Sequence, residues 1–364
     1  MKRLVFTVTN ELNYDQRMIR ICNSLHNAGY EITLIGVKHH SSPPLFHKSY
    51  HQIRINTYFK KGFGFYAEYN IRLFFKLLFL KADLFCCIDL DTILPVYFAG
   101  KWRHKKIVYD AHEYFSQLKE VVTRKYVYKV WHSIEKVFVP KFKNGYTVGY
   151  QIASEFKKWY GIDYEVIRNA PILTDSNSFV KESRDKTILY QGAVNHARGL
   201  EYLIPAMKQI DASLYIYGDG NFLKETHLLI IKNKLQDKVI LKGKSDPESL
   251  KMITKGAYIG INLVENNGLN QYYSLANKFF DYIHAGVPQV SMNYPEYKKI
   301  NEQFEVALLI DDLSENAVSI AINKLLNNKD FYESLQSNCL KAREVYHWQN
   351  EEKKLISFYK NILG

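Results

Sequence analysis

The sequence predicts two doubly wound α/β domains in tandem. Three observations lead to that fold class. Strand-like and helix-like apolar patterns alternate through both halves of the chain. A polar stretch from Ala170 to Lys186, with Pro171 and several Ser and Asp, separates the halves. The 364 residues also exceed what one core usually organises.

In the first half, LVFTVT from Leu4 is a strand, and Asp15 to Ala28 is a helix that Gly29 stops. EITLIG from Glu31 is the next strand, and Lys38 to His51 reads as a polar loop. Tyr66 to Leu80 is an amphipathic helix, followed by the strands LFCCID from Leu84 and KIVYDAHE from Lys106. A basic aromatic helix runs from Thr123 to Phe138. NGYTVG from Asn144 is a short strand, Ala153 to Tyr160 a helix, and EVIRNAP from Glu165 ends the half. The second half repeats the alternation, with strands at TILYQG (from Thr187), SLYIYGDG (Ser213), KVILKG (Lys238), AYIGINL (Ala257) and VPQVSM (Val287). Two helical stretches, joined near Tyr346 to Trp348, fill Asp330 to Leu363. The expected organisation is a Rossmann-like domain over 1–169, a linker over 170–186 and a second such domain over 187–345. A last helix over 346–364 is expected to return to the first domain.

Charge and leader patterns narrow the function classes. A net charge of +12 points to anionic partners: phosphorylated ligands or an acidic membrane face. Nucleic acid is excluded, because no compact Lys/Arg recognition element or zinc spacing occurs. The opening MKRLVFTVTN is too short an apolar run for a signal segment, and the patch Ile71 to Leu80 is broken by Arg72 and Lys76. Cys22, Cys86, Cys87 and Cys339 lack metal-ligand spacing and read as reduced, buried thiols of a cytoplasmic protein. His39, His40, His47 and His51 sit in a Pro- and Ser-containing loop without paired ligand spacing, so no metal is expected there.

The most informative stretch is SLANKFFDYIHAGVP, Ser274 to Pro288. Asn277 and Lys278 open an apolar-periodic segment, Asp281 follows about one turn later, and Gly286 and Pro288 stop it. A helix N-terminus with a fixed cation attracts phosphate. An acid one turn on can accept from vicinal hydroxyls, as in dinucleotide sites. The GDG at Gly218–Gly220, between a strand and a helix, gives close backbone access to a ligand. An ordinary amphipathic helix and a plain turn account for the same residues.

The ordered series RNAP, LYQGAVNHARGLEYLI, LYIYGDG, VILKGKSDPESL and SLANKFFDYIHAGVP resembles the C-terminal half of glycosyltransferase family 4. The run Asn10 to Arg17, IDLDTILP and VYDAHE resemble its N-terminal half. The resemblance implies the GT-B fold, two Rossmann-like domains facing across a cleft. It implies sugar transfer from a nucleotide-sugar to a glycan or lipid-linked saccharide with retention of configuration, in cell-surface polysaccharide or lipopolysaccharide synthesis. It further implies no metal or other cofactor and no agreed covalent nucleophile, with front-face attack guided by the leaving phosphate. Arg198 would bind the donor diphosphate, Lys278 would be a second phosphate or sugar contact, Asp281 would bind the ribose, and His112 would lie near the donor sugar. Gly192, Gly218, Gly220, Ser274 and Asn277 would complete the donor side, with Lys242 and Gly243 near the base. Asn10, Arg17, Asp91 and Glu113 fall on the acceptor side.

Two positions depart from the family pattern. Tyr273 stands eight before Asp281, where many members carry an acid, and Ala193 follows Gly192, where many carry Arg. Two alternatives therefore stay open: another GT-B enzyme such as a nucleotide-sugar epimerase, and a sugar-nucleotide-binding homologue without turnover. Asp89-Leu90-Asp91 forms a DxD, read as acceptor-side or structural rather than metal-binding. Basic-aromatic segments, Tyr58 to Phe65, Ile71 to Lys81, Lys101 to Lys106 and Arg124 to Lys143, suit an anionic membrane surface or cationic chains lying over an ordinary core. The expected place is cytoplasmic, at the inner face of a membrane.

Overall fold

The computed structural model describes residues 1–39, 42–174 and 185–364. His40 and positions 175–184 of the expected linker lie outside the described residues. The chain divides into two compact units, Met1–Asn169 with Glu351–Gly364, and Ala170–Asn350.

The first unit holds a seven-stranded parallel sheet, ordered β3-β2-β1-β4-β5-β6-β7. Its strands are β1 (Arg3–Thr7), β2 (Glu31–Lys38), β3 (His51–Asn56), β4 (Leu84–Ile88), β5 (Lys106–Ala111), β6 (Gly145–Thr147) and β7 (Glu165–Val166). Helices α1 (Gln16–Asn27), α2 (Gly62–Phe79), α3 (Ile93–Trp102), α4 (Lys119–Val122), α5 (Lys125–Phe138) and α6 (Tyr150–Tyr160) connect them. The second unit holds a six-stranded parallel sheet, ordered β10-β9-β8-β11-β12-β13. Its strands are β8 (Thr187–Gln191), β9 (Ser213–Tyr217), β10 (Val239–Gly243), β11 (Ile259–Asn262), β12 (Gln289–Met292) and β13 (Ala307–Ile310). Its helices are α7 (Leu200–Ala206), α8 (Leu223–Lys232), α9 (Pro247–Gly256), α10 (Leu269–Tyr272), α11 (Asn277–His284), α12 (Pro295–Phe304), α13 (Glu315–Asn327) and α14 (Lys329–Arg343), and α15 (Trp348–Leu363) follows.

Both sheets are doubly wound, and in each the chain reverses direction of growth beside the first strand, at β1/β4 and at β8/β11. Ligands of such sheets bind past the strand ends at that reversal. Their inner strands are buried on both faces: every residue of β4 and β11 is buried.

The structure adds elements the sequence reading passed over. HQIRIN, which begins at the last residue of the expected loop, is strand β3, α3 connects β4 to β5, and ALLI forms a sixth strand in the second sheet. The expected linker ends also belong to the second unit. The Pro171 carbonyl accepts from the Trp348 N–H at 2.7 Å, and Leu173 exchanges two bonds with the Gln349 amide at 3.0 and 2.8 Å.

The cores explain the high tyrosine content. Tyr69, Tyr146, Tyr282 and Tyr359 are fully buried, and each hydroxyl has a partner. Tyr69 donates to Val8 O at 2.6 Å and Tyr282 to Leu189 O at 2.9 Å, and the hydroxyls of Tyr146 and Tyr359 meet at 3.2 Å. Each supplies large apolar area without an unpaired polar atom. The last pair ties α15 to β6 within the first unit, where Glu351 also accepts from the Arg168 N–H at 3.0 Å. All four cysteines are free and buried.

Candidate functional site

Three strand ends of the second unit converge at glycines. The Gly192 N–H, just past β8, donates to Tyr217 O at 3.0 Å, and the Gly218 N–H donates to Gly243 O at 2.8 Å. A Cβ on Gly218 would stand 1.8 Å from Gly192 O, and one on Gly220 would stand 2.3 Å from Val194 O. Only glycine permits this approach. Gly192 itself has φ +114°, and a Cβ there would lie 3.5 Å from Lys278 Cε.

Lys278 comes from the start of α11. The residue before the helix, Ala276, offers no side-chain cap, so the first-turn N–H groups depend on other partners. The Lys278 ammonium sits 3.9 Å from the centroid of the Tyr190 ring, a cation–π placement. Burial, then the neighbouring Arg198 charge, pull its pKa down to about 7, while Asp281 opposes the shift. Arg198 and Asp281 thus lie close enough to Lys278 to act on its charge, and Lys278 itself reaches Gly192. A second cation raises the charge density there and makes an anion the natural occupant.

Asp281 is held from below. Gln191 Nε2 donates to Asp281 Oδ2 at 3.0 Å, and Thr254 Oγ1 donates to Gln191 Oε1 at 2.7 Å. The loop before α11 is pinned by Tyr297, whose hydroxyl accepts from the Ala276 N–H at 3.1 Å and meets Ser274 Oγ at 3.2 Å. Ser274 thus serves the loop, whereas Asn277 is exposed at the first helical position. Lys242 is exposed with its ammonium 5.1 Å from the Tyr215 ring, and Lys244 pairs with Asp219 at 3.2 Å.

In the first unit the chemistry-bearing residues gather past β4 and β5. His112 follows β5. Desolvation, then the charges of Arg17 and Arg20, hold it down to about 3, so the imidazole is neutral at pH 7. The Glu113 N–H donates to Asp89 Oδ1 at 3.0 Å. Burial, then Glu113 and Asp91, push the Asp89 carboxyl well up. Asp91 is buried and accepts from the Thr9 hydroxyl, and burial pushes it up to about 7. Asn10 is exposed and bonds Asp15, the N-cap of α1, at 2.8 Å.

Arg17 requires correction. It is only 2% exposed, with Nη2 2.8 Å from Asp110 Oδ1, Nε 3.2 Å from Oδ2 and Nη1 3.3 Å from Ile167 O. The buried bidentate pair fixes α1 to β5, and the bond to Ile167 O fixes it to the segment just past β7. The Arg17 charge also reaches His112.

Sequence reasoning also missed Tyr190, Gln191 and Thr254, which seat Lys278 and Asp281. The one available signal was position: Tyr190 and Gln191 end a strand directly before the conspicuous Gly192. Among the described residues no three His, Cys, Asp or Glu gather to hold a metal ion, and no helix is long and apolar enough to cross a membrane.

Comparison with known proteins bears on these observations. Residues 172–342 match the family described as glycosyl transferases group 1. An uncharacterized glycosyltransferase of Methanocaldococcus jannaschii is 25% identical over 183 residues, 48% of this chain and 45% of that protein, so the match spans about half of the relative's length. Sucrose-phosphate synthase from Thermosynechococcus elongatus superposes with a TM-score of 0.84 at 15% identity, covering 100% of this chain and 99% of that one. Anabaena HepE, solved with UDP, gives 0.74 at 12% identity, covering 99% and 100%. WaaG, a glycosyltransferase involved in lipopolysaccharide biosynthesis, gives 0.75 at 14% identity, covering 97% and 98%. The second unit thus matches the glycosyl transferases group 1 family over nearly all of its length, and the chain that carries it has the GT-B fold of two Rossmann-like domains.

Proposed function

We propose that the protein transfers a sugar from a nucleoside-diphosphate donor to a glycan or lipid-linked saccharide, with retention of configuration. The observation that carries this reading is Lys278 seated over Gly192 within the electrostatic reach of Arg198 and Asp281, supported by the family match of the same segment. The glycine turns let backbone approach the diphosphate. The start of α11, Lys278 and Arg198 neutralise it, and Asp281 accepts from ribose hydroxyls. When the bond between the anomeric carbon and the phosphate oxygen breaks, both electrons stay with the oxygen. Preorganised cations stabilise that charge. The acceptor oxygen bonds the anomeric carbon and gives its proton to the departing phosphate. Neutral His112 is suited to hydrogen-bonding sugar hydroxyls, since its ring carries one donor and one acceptor. HepE, solved with UDP and with UDP-glucose, supports a uridine diphosphate donor as the first to test.

The test is turnover of a nucleotide-sugar panel against saccharide acceptors. Lys278→Ala and Arg198→Ala should each lower kcat at least about 100-fold, roughly 3 kcal/mol of leaving-group stabilisation. Wild-type rates in both would end the reading. Nucleotide release that ignores the acceptor would favour the epimerase class, and binding without turnover the non-catalytic one.

A membrane partner belongs to the same proposal. Ile71, Phe75 and Phe79 form an exposed stripe along α2, and Trp102 ends α3 at 75% exposure. Arg103 Nη1 donates to Leu77 O at 2.7 Å and to Leu80 O, tying the two helix ends together. Lys105, Lys106, Lys141 and Lys143 line a cavity of about 590 Å³ at the starts of β5 and β6. Aromatic anchors beside clustered lysines suit the anionic cytoplasmic face of a bilayer, where a lipid-linked acceptor would be met.

A further inference from the structure

Gln191 has no role in the resemblance, yet it occupies the reversal point of the second sheet. It is the last residue of β8 and is 3% exposed. Its amide joins three elements: β8 itself, α9 through Thr254, and α11 through Asp281. Thr254 is equally hidden, at 2%.

The orientation of that amide follows from charge. Its NH₂ must face the Asp281 carboxylate, because two oxygens facing each other would repel. The amide oxygen then faces Thr254, whose single hydroxyl proton is within reach of both that oxygen and Leu250 O, each at 2.7 Å. Asp281 fixes the amide, and the amide in turn fixes one oxygen of Asp281. A hydrogen bond to a charged acceptor is about twice as strong as a neutral one. In a site this dry it also carries directional weight. The carboxylate is thus held in one rotamer before any ligand arrives, which lowers the cost of ordering it on binding.

We propose that Gln191 is a positioning residue. It aims Asp281 at the ribose and so sets the preference for ribonucleotide over deoxyribonucleotide donors. This rests on the reading of Asp281 as the ribose acid. A site built to pair with a hydroxyl penalises the analogue that lacks it, because its own polar group is left unpaired. That penalty requires the carboxylate to be held in place. A carboxylate free to swing turns to water when the hydroxyl is missing, and the penalty falls.

Gln191→Leu is the decisive variant. It keeps the approximate volume, and Thr254 retains an acceptor in Leu250 O, 2.7 Å from its hydroxyl, so no buried donor is orphaned there. Asp281→Ala is measured beside it. Calorimetry on the full chain gives Kd for UDP, GDP and ADP. The tightest of these is then compared with its 2′-deoxy form. Wild type should prefer the ribonucleotide at least about tenfold, and Asp281→Ala should abolish the preference. Gln191→Leu should cut the preference at least threefold, with an unchanged far-ultraviolet spectrum and a cooperative melt. Thr254→Val should shift it in the same direction by less. If Asp281→Ala removes the preference and Gln191→Leu keeps it whole, Gln191 does not aim the acid and the proposal falls alone. If wild type shows no preference, or no nucleotide binds, the reading of Asp281 falls and the proposal with it. If Gln191→Leu does not melt cooperatively, Gln191→Asn decides. Its shorter amide cannot span both partners, and a retained preference in it overturns the proposal.

Discussion

Lys278 shows how one side chain combines binding and instability. Its pKa of about 7 means that the ammonium is half discharged near neutrality, and a diphosphate would restore the charge. Nucleoside-diphosphate affinity should therefore fall as pH rises above 7, by up to about tenfold per unit, and binding at pH 8 should take up a proton. Calorimetry in two buffers of different ionisation heat measures that uptake. Lys278→Arg, charged throughout, should flatten the profile. The stability sign runs in the opposite sense. The folded pKa lies below that of an unfolded lysine, so the unfolded chain binds more protons between about 7 and 10.5. Lys278 thus costs most stability below pH 7, and the cost fades as pH rises. Lys278→Met should raise the unliganded melting temperature more at pH 6 than at pH 10. Lys278 and Arg198 drew notice because one opens a periodic segment and the other precedes a glycine, and Asp281 because it follows Lys278 by about one turn. Tyr190 and Gln191 did not, because an aromatic and an amide at a strand end look like core. Arg17 was misread because a cation early in a helix carries no mark of the buried carboxylate, 93 positions later, that claims it.

At the level of elements, legibility followed pattern strength. Segment α11 was readable from its apolar period and its Gly-Pro stop. Strand β3, an edge strand, alternates weakly and carries Gln52 and Arg54, so it was passed over. Helix α3 includes Pro95 and packs Ile93, Val96 and Ala99 inward beside a generally apolar surface, which left no polar face to betray it. The four residues of β13 were too few to show alternation. The glycine turns allow a sharper test. Gly218 has φ +150° and no room for a methyl group against Gly192 O. Gly218→Ala should cost about 2–4 kcal/mol in a denaturant titration and weaken nucleotide binding at least tenfold. Gly256, the last residue of α9, has open space around its Cβ position. Gly256→Ala should instead gain about 0.5 kcal/mol.

At the scale of the molecule, the +12 charge and the aromatic edge of the first unit bear on where the protein works. The full chain should sediment with vesicles of phosphatidylglycerol in phosphatidylcholine at low salt and be released at high salt. Phe79→Glu and Trp102→Glu, both at exposed positions, should each lower the bound fraction at least threefold without lowering the melting temperature. Salt-insensitive partitioning to neutral vesicles would rule this out. The α/β class and the two-unit plan were visible in the sequence, because alternation repeats over hundreds of residues. The expected return of a last helix over 346–364 came with the family resemblance, since the contacts that close the first unit, at Glu351–Gly364, join distant parts of the chain.

The first unit is completed by Glu351–Gly364, with Tyr359 buried against Tyr146. During synthesis, the second unit is continuous and can finish folding as soon as it clears the ribosome. The earlier-made unit must wait as an open nascent sheet until the last helix emerges. Order of translation and order of completion are therefore reversed.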